Sequence, residues 1–439
     1  MEQTLKKQQI FFKENGTKSY EFRIKQLTKL ENYIRINEDQ IADALAQDLS
    51  RDQAESYMLE IHTCLDEINY YKKHLKSMMK TKRVKTNLST FSSRSYISQQ
   101  PKGVTLIISP WNYPLYLTII PLINNIGAGN TTILKLSERL TRVNALLEQG
   151  LNTLFAEEYI HVLPTDQKNY EAINLDVDHI FFTGSTEVGK LVMKAASQKL
   201  IPVTLELGGK SPVIVSKNAN IERVVSELIW GKLLNSGQTC IAPDHVSIHE
   251  SLFDNVLEEL KVQIKNYQPD NRGYIDKAHS DKIKSLLEGN EVIFEHKFNE
   301  ESLYVTNGQV GKLAEEEIFG MILPFIKFRD YSEVLPKIYY PLATYIFSTD
   351  KQEQSFLTDN ILCHGFTING TITHIANHNL PFGGVKSSGL GQYCGKAGFK
   401  ELTYTRALLH KGWFRPWFIN PPYDYEHIKK MLKLVRLGK

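Results

Sequence analysis

The chain has 439 residues, of which 42% are hydrophobic and 23% are charged, a composition typical of a globular protein with two or three domains. Its formal net charge of +3 is too small to indicate a nucleic-acid partner. The four cysteines show no CxxC spacing, so the sequence predicts neither a disulfide framework nor structural zinc and favours a reducing, cytoplasmic setting.

The first 80 residues are predicted to be largely helical. The polar start of the chain leads into no apolar segment, which argues against a signal peptide. Between residues 24 and 75, apolar side chains recur at the three- and four-residue spacing of three helices. In residues 81–100, Ser, Thr, Lys and Arg separate single apolar residues. That pattern predicts an exposed β-hairpin or arm, which could contact a partner subunit.

From residue 103, short apolar strands alternate with helices. The predicted strands are 104–108, 131–134, 159–163, 179–182, 203–207 and 213–215, and the predicted helices are 115–126, 139–155 and 188–197. This alternation predicts an α/β fold with a doubly wound parallel sheet. Such sheets bind ligands at the carboxyl ends of their strands, so the residues that follow the strands are the first candidates for a site.

The second half of the chain has a less regular pattern. Two long helical patterns occupy 219–265, a polar irregular stretch covers 266–312, and apolar strands return at 322–328, 343–347 and 366–369. The longest apolar stretch of the chain, 113–128, contains two prolines and two asparagines. It is too short and too interrupted to predict a membrane span.

The segment Gly237-Gln-Thr-Cys240 offers a nucleophile. A cysteine thiolate is strongly nucleophilic, but an ordinary thiol pKa of about 8.5 leaves only a few per cent ionised at neutral pH. Upstream, Leu205-Glu-Leu-Gly-Gly-Lys210 offers the Glu206 carboxylate beside two glycines, where a substrate could approach the backbone. Taken alone, Cys240 could instead be a small, inert core residue, because free cysteine is often buried.

Three further candidate segments follow predicted strands. Two prolines rigidify Ser109-Pro-Trp-Asn-Tyr-Pro114 and would hold the Asn112 amide where an oxyanion needs a donor, although asparagine is also an ordinary turn residue. Lys135 and Glu138, after the next strand, suit a ribose or phosphate. The stretch 182–189 opens a helix with Gly and Ser, which suits a phosphate. It is not the GxGxxG fingerprint, so it is weak evidence alone.

Taken together, these segments closely resemble the motifs of the aldehyde dehydrogenase superfamily, in that family's order. The motifs are Pro110-Trp-Asn-Tyr-Pro114, Gly129-Asn130, Phe182-Thr-Gly-Ser-Thr-Glu-Val-Gly189, Leu205-Glu-Leu-Gly-Gly-Lys210, Gly237-Gln-Thr-Cys240, Glu316-Glu-Ile-Phe-Gly320 and Pro381-Phe-Gly-Gly384. The resemblance runs from about residue 20 to about residue 415. It is closest to the shorter class 3 branch, which is often active on fatty or aromatic aldehydes. Leu136 and Met321 replace family prolines, and neither change removes a reacting group.

The resemblance implies a mechanism and a set of site residues. Cys240 would attack the aldehyde carbonyl, Asn112 and the Cys240 backbone N–H would hold the oxyanion, and Glu206 would activate water to hydrolyse the thioester. NAD, or alternatively NADP, would accept the hydride. The implied cofactor contacts are Ser109, Trp111, Lys135, Glu138, Gly184, Ser185, Val188, Gly189, Glu317 and Phe319. Glu138 would repel a 2′-phosphate and favours NAD, although class 3 enzymes with this glutamate can use both.

The resemblance also implies the domain organisation. A doubly wound dinucleotide-binding domain would comprise 1–80 and 101–207, an α/β catalytic domain 208–401, and a small β oligomerisation arm 81–100 and 402–420, which predicts a homodimer. Residues 421–439 predict a basic amphipathic helix next to the aromatic run 413–418. This tail could bring the enzyme peripherally to a membrane, or it could pack on protein.

Two interpretations of single residues stay open. Tyr113 and Trp230 could line an aromatic substrate channel or fill the core. His374 and His378 lie four residues apart, but no acidic third ligand is near them, so no metal site is predicted.

Two other functions compete with hydrolytic aldehyde oxidation. One is a dehydrogenase that passes the acyl group to coenzyme A, and Glu206 argues against it because that reaction has less use for a base that activates water. The other is a non-enzymatic relative. The intact set of Cys240, Glu206 and Asn112 argues against that interpretation.

Overall fold

The computed structural model describes residues 1–87, 90–166, 169–267, 272–414 and 421–437. Its α-helices are α1 (Glu2–Lys13), α2 (Tyr20–Ile36), α3 (Glu38–Leu49), α4 (Gln53–Ser56), α5 (Thr63–Met79), α6 (Tyr116–Ala128), α7 (Arg142–Leu154), α8 (Asn169–Ala172), α9 (Thr186–Ser197), α10 (Ile221–Leu233), α11 (Phe253–Gln263), α12 (Lys277–Ser285), α13 (Lys312–Glu315), α14 (Lys351–Asn360), α15 (Gly395–Glu401) and α16 (Tyr425–Leu437). A π-helical segment, Tyr57–His62, joins α4 to α5.

The strands follow in the same way. They are β1 (Lys82–Val84), β2 (Arg94–Pro101), β3 (Val104–Ile108), β4 (Thr131–Lys135), β5 (Ile160–Val162), β6 (His179–Thr183), β7 (Val203–Glu206), β8 (Pro212–Val215), β9 (His245–His249), β10 (Val292–Lys297), β11 (Ser302–Asn307), β12 (Ile322–Phe328), β13 (Ala343–Phe347), β14 (Gly365–Ile368), β15 (Phe382–Gly383), β16 (Gly389–Leu390), β17 (Gln392–Tyr393) and β18 (Thr403–His410).

The first large sheet is the predicted doubly wound parallel sheet. Its order is β16-β7-β6-β3-β4-β5, and only the short β16 is antiparallel to its neighbour. The central strands β3, β4 and β6 are completely buried, as is typical of parallel strands that are covered on both faces. Ile108 pairs with Lys135 on one side and with Phe182 on the other, so the three loops that follow these strands begin at the same sheet edge.

The second large sheet has the order β10-β11-β12-β9-β8-β13-β14, with only β10 antiparallel. Its strand β9 lies within 219–265, where the sequence predicted two helices. The sequence did not predict β9 because it has only two large apolar residues, Val246 and Ile248, and lies between the long helical patterns of α10 and α11. The prediction of an irregular stretch at 266–312 was also wrong, since it contains α12, β10 and β11. The edge strand β10 begins with three apolar residues, ends with three polar ones and has no buried residue, so its apolar run is too short to predict a strand.

The arm predicted from 81–100 is a three-stranded antiparallel sheet of order β1-β2-β18. Strand β18 pairs with β2 along eight residues, from Thr403 opposite Pro101 to His410 opposite Arg94. Residues 415–418 of the predicted aromatic run 413–418 lie outside the described residues, and α16 begins at Tyr425. Among the described residues, no helix is long and apolar enough to cross a membrane.

Candidate active site

A cavity of about 630 Å³ lies at the carboxyl ends of the first sheet's strands and extends to the Cys240 segment. It brings together eight of the predicted site residues. These are Trp111, Asn112, Gly184, Ser185, Glu206, Cys240, Glu317 and Phe319. The cavity thus combines a thiol, an amide donor and two carboxylates, contributed by segments that are far apart in the sequence.

The backbone before Cys240 is strained. Asn235, Ser236 and Gly237 all have positive φ angles, a conformation that costs side-chain-bearing residues of the order of 1–2 kcal/mol each. At Gly237 a β-carbon would clash with the carbonyl oxygen of Gly320, so only glycine fits there. Such strain is tolerated where surrounding contacts fix the segment, and it is typical of functional sites.

Asn112 is held rigidly in the loop that follows β3. The Asn112 side-chain amide donates a hydrogen bond of 3.0 Å to the Gln238 backbone carbonyl. The Asn112 backbone carbonyl accepts a hydrogen bond of 2.8 Å from the Asn235 side-chain amide. An asparagine amide has two N–H donors. The bond to Gln238 uses one of them and leaves the other for a ligand near Cys240.

Cys240 exposes part of its surface to the cavity but is otherwise surrounded by protein. Burial, followed by the nearby carboxylates of Glu317 and Glu206, raises the pKa of the Cys240 thiol. To act as a nucleophile, the thiol must lose its proton.

Two of the glutamates that line the cavity, Glu206 and Glu317, have pKa values that are shifted in the same direction. Glu206 ends β7 with 3% of its surface exposed, and neither of its carboxylate oxygens has a hydrogen-bond partner among the described residues. Burial, and then the charge of Glu401, raises the pKa of Glu206 well above its usual range. Burial, and then Asp244, raises the pKa of Glu317 to about 8. Raised carboxylate pKa values in a cavity are typical of catalytic acids and bases.

The segment that carries Glu317 and Phe319 is held in place by Lys210 and Asp244. Lys210 lies 2.7 Å from the Asp244 carboxylate and donates a 2.8 Å hydrogen bond to the Glu316 carbonyl. Asp244 also accepts a 3.0 Å bond from the Ile318 backbone N–H. Lys210, the last residue of the Leu205–Lys210 motif, thus supports this segment and is not among the described residues that line the cavity.

The other predicted cofactor contacts are not among the described residues that line the cavity, and they are Ser109, Lys135, Glu138, Val188 and Gly189. Ser185 caps α9 by accepting a 3.4 Å bond from the Val188 N–H, and Gly189 is buried one residue further on. The Ser109 hydroxyl is 3.5 Å from the Lys135 carbonyl. Burial lowers the pKa of Lys135, which donates to the Leu136 carbonyl at 2.6 Å and lies 3.9 Å from the exposed Glu138 carboxylate.

The two predicted channel residues are not among the described residues that line this cavity. Tyr113 instead packs next to the Cys240 segment, with its hydroxyl 2.6 Å from the Thr239 hydroxyl. Trp230 is half-buried on α10 and packs against the main core. Their proposed contact with substrate stays a prediction.

The structure adds cavity residues that sequence reasoning missed. Arg139 places its guanidinium 4.7 Å from the centre of the Trp111 ring and forms an ion pair with Asp276. His279 packs edge-on against Trp111 and lies 2.9 Å from the Phe319 carbonyl. Both line the cavity. His279 lay in a stretch without a recognisable pattern, so no single-sequence signal marked it.

The two histidines considered as metal ligands have protein partners. His378 forms a 2.6 Å ion pair with the buried Glu67, and His374 lies 3.0 Å from the Thr367 hydroxyl. Within the described ranges, no group of three or more metal-ligating side chains comes together.

The sequence and the structure both resemble those of known aldehyde dehydrogenases. The model of the aldehyde dehydrogenase family matches residues 2–408. The chain is 36% identical to 4,4'-diaponeurosporen-aldehyde dehydrogenase of Staphylococcus aureus, with 99% of each chain covered. It is 35% identical to the dimeric, NADP-preferring aldehyde dehydrogenase of Rattus norvegicus, with 93% of this chain and 94% of that protein covered. The solved structure of substrate-bound AldH from Staphylococcus aureus has a TM-score of 0.93 at 36% identity and covers 98% of this chain and 99% of that one.

Proposed function

The chain belongs to the aldehyde dehydrogenase family, in its class 3-like branch, and from this premise we propose which aldehyde it oxidises and how. As a member of this family it is an oxidoreductase that acts on an aldehyde. The proposed substrate is a long-chain aliphatic, aromatic or polyene aldehyde, which is converted to the carboxylic acid. The observation that carries the proposed mechanism is the cavity shared by Cys240, Asn112 and Glu206.

Cys240 is proposed as the nucleophile. Its partly exposed thiol first loses its proton to solvent in the cavity. The thiolate sulfur then attacks the aldehyde carbonyl, and the carbonyl oxygen becomes an oxyanion. The free N–H of the Asn112 amide and the Cys240 backbone N–H would donate hydrogen bonds to that oxygen. The rigid anchoring of Asn112 on Gln238 supports this role, because a preorganised donor costs no reorganisation during the reaction.

Glu206 is proposed as the general base for the second half of the reaction. After oxidation the acyl group is a thioester on Cys240, and Glu206 removes a proton from the water that hydrolyses it. Its unpartnered oxygens and raised pKa support this assignment, since a base poised nearer to neutral pH accepts a proton more readily.

The cavity fits a nicotinamide dinucleotide. Gly208 leaves room for the Glu317 carboxylate, one oxygen of which is buried without a partner and could accept from a ribose hydroxyl. The twelve-residue helix α9 directs its N-terminus at the cavity, where a pyrophosphate would be favoured. When bound, the nicotinamide supplies the hydride acceptor. The proposed contacts are Ser109, Trp111, Lys135, Glu138, Gly184, Ser185, Val188, Gly189, Glu317 and Phe319.

The cofactor preference is proposed as NAD, with NADP as an alternative. The exposed Glu138 carboxylate beside the buried Lys135 would repel a 2′-phosphate. NADP stays the alternative because one similar enzyme, from Rattus norvegicus, is named as NADP-preferring.

The proposed substrate class is supported by the cavity wall and by one relative. Leu117, Leu342, Phe382 and Tyr393 line the cavity with apolar and aromatic surface, which suits a long apolar chain. The similar Staphylococcus aureus enzyme is named for 4,4'-diaponeurosporen-aldehyde, a polyene aldehyde.

The test is NADH formation from aliphatic, aromatic and polyene aldehydes, each with NAD and NADP and each with and without coenzyme A. The proposal expects oxidation that does not depend on coenzyme A and yields the free acid. A requirement for coenzyme A, with a thioester product, would favour the acylating alternative. No reduced cofactor with any aldehyde would favour a non-enzymatic role.

A homodimer is proposed, and the arm carries this proposal. In the described structure β18 is an edge strand that exposes Tyr404, Leu408 and Leu409, and such an edge favours pairing with a second copy. Light scattering at micromolar concentration should give about twice the chain mass of 50.3 kDa. Joint Leu408→Lys and Leu409→Lys substitutions should lower it to one chain mass. The matched control Leu200→Lys, 89% exposed but outside the arm, should not. A single-chain mass for the unmodified protein would contradict the proposal.

Peripheral membrane contact is proposed for the tail. Helix α16 carries the basic residues Lys429, Lys430 and Lys433 together with the apolar residues Met431 and Leu432. At about 1 kcal/mol per basic residue near an anionic surface, salt-sensitive vesicle binding is expected. Co-sedimentation with anionic vesicles at low and high salt should recover the full chain at low salt only. A form that ends at Pro422 should stay in solution, and equal recovery of both forms would refute the proposal.

A further inference from the structure

Two buried ion pairs lie beside the loops that carry Cys240 and Asn112. Arg51 pairs with Glu60, and neither side chain has exposed surface. Arg272 pairs with Glu55 at 2.9 Å, and 5% and 8% of these side chains are exposed. A buried ion pair is by itself weak evidence for stability, because desolvating the charges is costly. The contacts that these carboxylates make with the two loops are therefore the informative feature.

Glu60 caps the helix that follows Asn112. Its second carboxylate oxygen accepts hydrogen bonds from the Leu115 N–H at 2.8 Å and from the Tyr116 N–H at 3.0 Å. Helix α6 begins at Tyr116, and its own N-cap residue, Leu115, supplies no side-chain cap. The first N–H groups of a helix need such a partner, and a carboxylate also suits the helix dipole. Glu60 therefore fixes the end of the loop in which Asn112 lies.

Glu55 holds the strained segment before Cys240. One of its carboxylate oxygens accepts a 2.6 Å hydrogen bond from the Asn235 backbone N–H. Asn235 has a positive φ and needs surrounding contacts to keep it. The Asn235 side-chain amide then donates to the carbonyl oxygens of Asn112 at 2.8 Å and Gln238 at 3.3 Å, which joins the two loops directly.

Arg51 adds a third connection between the loops. Its guanidinium lies 5.4 Å from the centre of the Tyr113 ring, which is next to Asn112. The Tyr113 hydroxyl is 2.6 Å from the hydroxyl of Thr239, which is next to Cys240.

The Glu55 and Glu60 carboxylates come from one short segment of the chain. Glu55 lies in α4, and Glu60 lies in the π-helical stretch Tyr57–His62. An α-helix would turn residues five apart by about 140° relative to each other. Bonds in a π-helix join residues five apart and bring such side chains closer to one face, and π-helical turns are frequent at functional sites.

We propose that Glu55 and Glu60 are positioning residues, which hold the Asn112 amide and the Cys240 sulfur in one fixed geometry for the reaction. This proposal rests on the proposed roles of Asn112 and Cys240. A misplacement of about 1 Å far from the reacting atoms can lower a rate about 100-fold, so the two carboxylates should affect kcat strongly without touching substrate.

The test compares two forms that both carry Arg51→Met and therefore bury no unpaired charge. In one form Glu60→Gln keeps an oxygen that can accept from the Leu115 N–H. In the other, Glu60→Leu has nearly the same size and no acceptor. The Leu form should have a kcat at least about 10-fold below that of the Gln form, with similar melting temperature and dinucleotide Kd. Equal kcat values in the two folded forms would overturn the proposal.

A second variant decides the question if either of those forms fails to fold. Glu60→Asp keeps the charge pair with Arg51 but withdraws the carboxylate by one methylene group. Its loss of kcat should be at least about 10-fold in the unmodified enzyme and should nearly vanish when Asn112→Ala is also present, because both changes then act on one donor. Losses that simply multiply would overturn the proposal. An unmodified enzyme that oxidises no aldehyde would instead refute the proposed function.

Discussion

Replacement of Cys240 by alanine is expected to abolish aldehyde oxidation while the protein still binds its cofactor. The substitution removes the sulfur that would form the covalent bond and leaves the cavity carboxylates and the Asn112 amide in place. Loss of an essential nucleophile typically lowers kcat by at least about 10⁴-fold. The measurement is NADH formation with a saturating aldehyde, together with dinucleotide affinity from quenching of tryptophan fluorescence.

The matched control for this prediction is Cys363→Ala. Cys363 is also partly buried, and its thiol lies 3.1 Å from the Gly365 carbonyl, outside the cavity lining. It should retain nearly full activity. Substantial oxidation by the Cys240→Ala form in a clean preparation would show that Cys240 is not the nucleophile.

Replacement of Glu206 by glutamine is expected to slow thioester hydrolysis far more than hydride transfer. Glutamine has nearly the shape of glutamate but cannot accept a proton from water. General-base removal typically costs about 10²–10⁴-fold in rate. A stopped-flow trace should then show a burst of NADH of about one equivalent per active site, followed by a slow steady state.

The control for this substitution is Glu31→Gln. Glu31 is also a largely buried carboxylate, but it pairs with Lys72 and Arg35 on the N-terminal helices and does not line the cavity. It should show no such burst. A Glu206→Gln form in which both phases slow equally would assign Glu206 a different role.

The pH dependence of hydrolysis supplies an independent check on the same residue. A general base works only when deprotonated, and burial raises the pKa of Glu206. The hydrolysis rate should therefore rise with pH through a value well above the ordinary glutamate pKa of about 4.3. Because the Glu401 charge contributes to the shift, Glu401→Gln should move this rise to lower pH. The rise should be absent in Glu206→Gln, and a rate that is independent of pH in the unmodified enzyme would contradict the assignment.

The local pattern of the chain predicted the first sheet well. Strands such as β3 and β4 are buried on both faces, so each contains a short run of large apolar residues that stands out against the helices between them. The same reasoning failed for β9 and β10. Strand β9 is a short strand between two long helices, and β10 is an edge strand with only three apolar residues. Neither is long enough to show a clear hydrophobic period in a single sequence.

The sequence by itself determined the chemistry that this protein carries. The order and spacing of the motifs around Asn112, Glu206 and Cys240 indicated the family, because a motif consists of residue types and spacings that the sequence gives directly.

Only the tertiary structure decided which residues surround that chemistry. Glu55 reaches Asn235, 180 residues further on, and Arg139 reaches Asp276, 137 residues further on, through packing of separate elements. The raised pKa values of Glu206 and Glu317 likewise come from burial, which depends on the assembled fold and not on neighbours in the sequence. Contacts between residues so far apart in the chain produce no local period or motif in the sequence. The contacts that Glu55 and Glu60 make with the loops of Cys240 and Asn112 are therefore visible only in the tertiary structure.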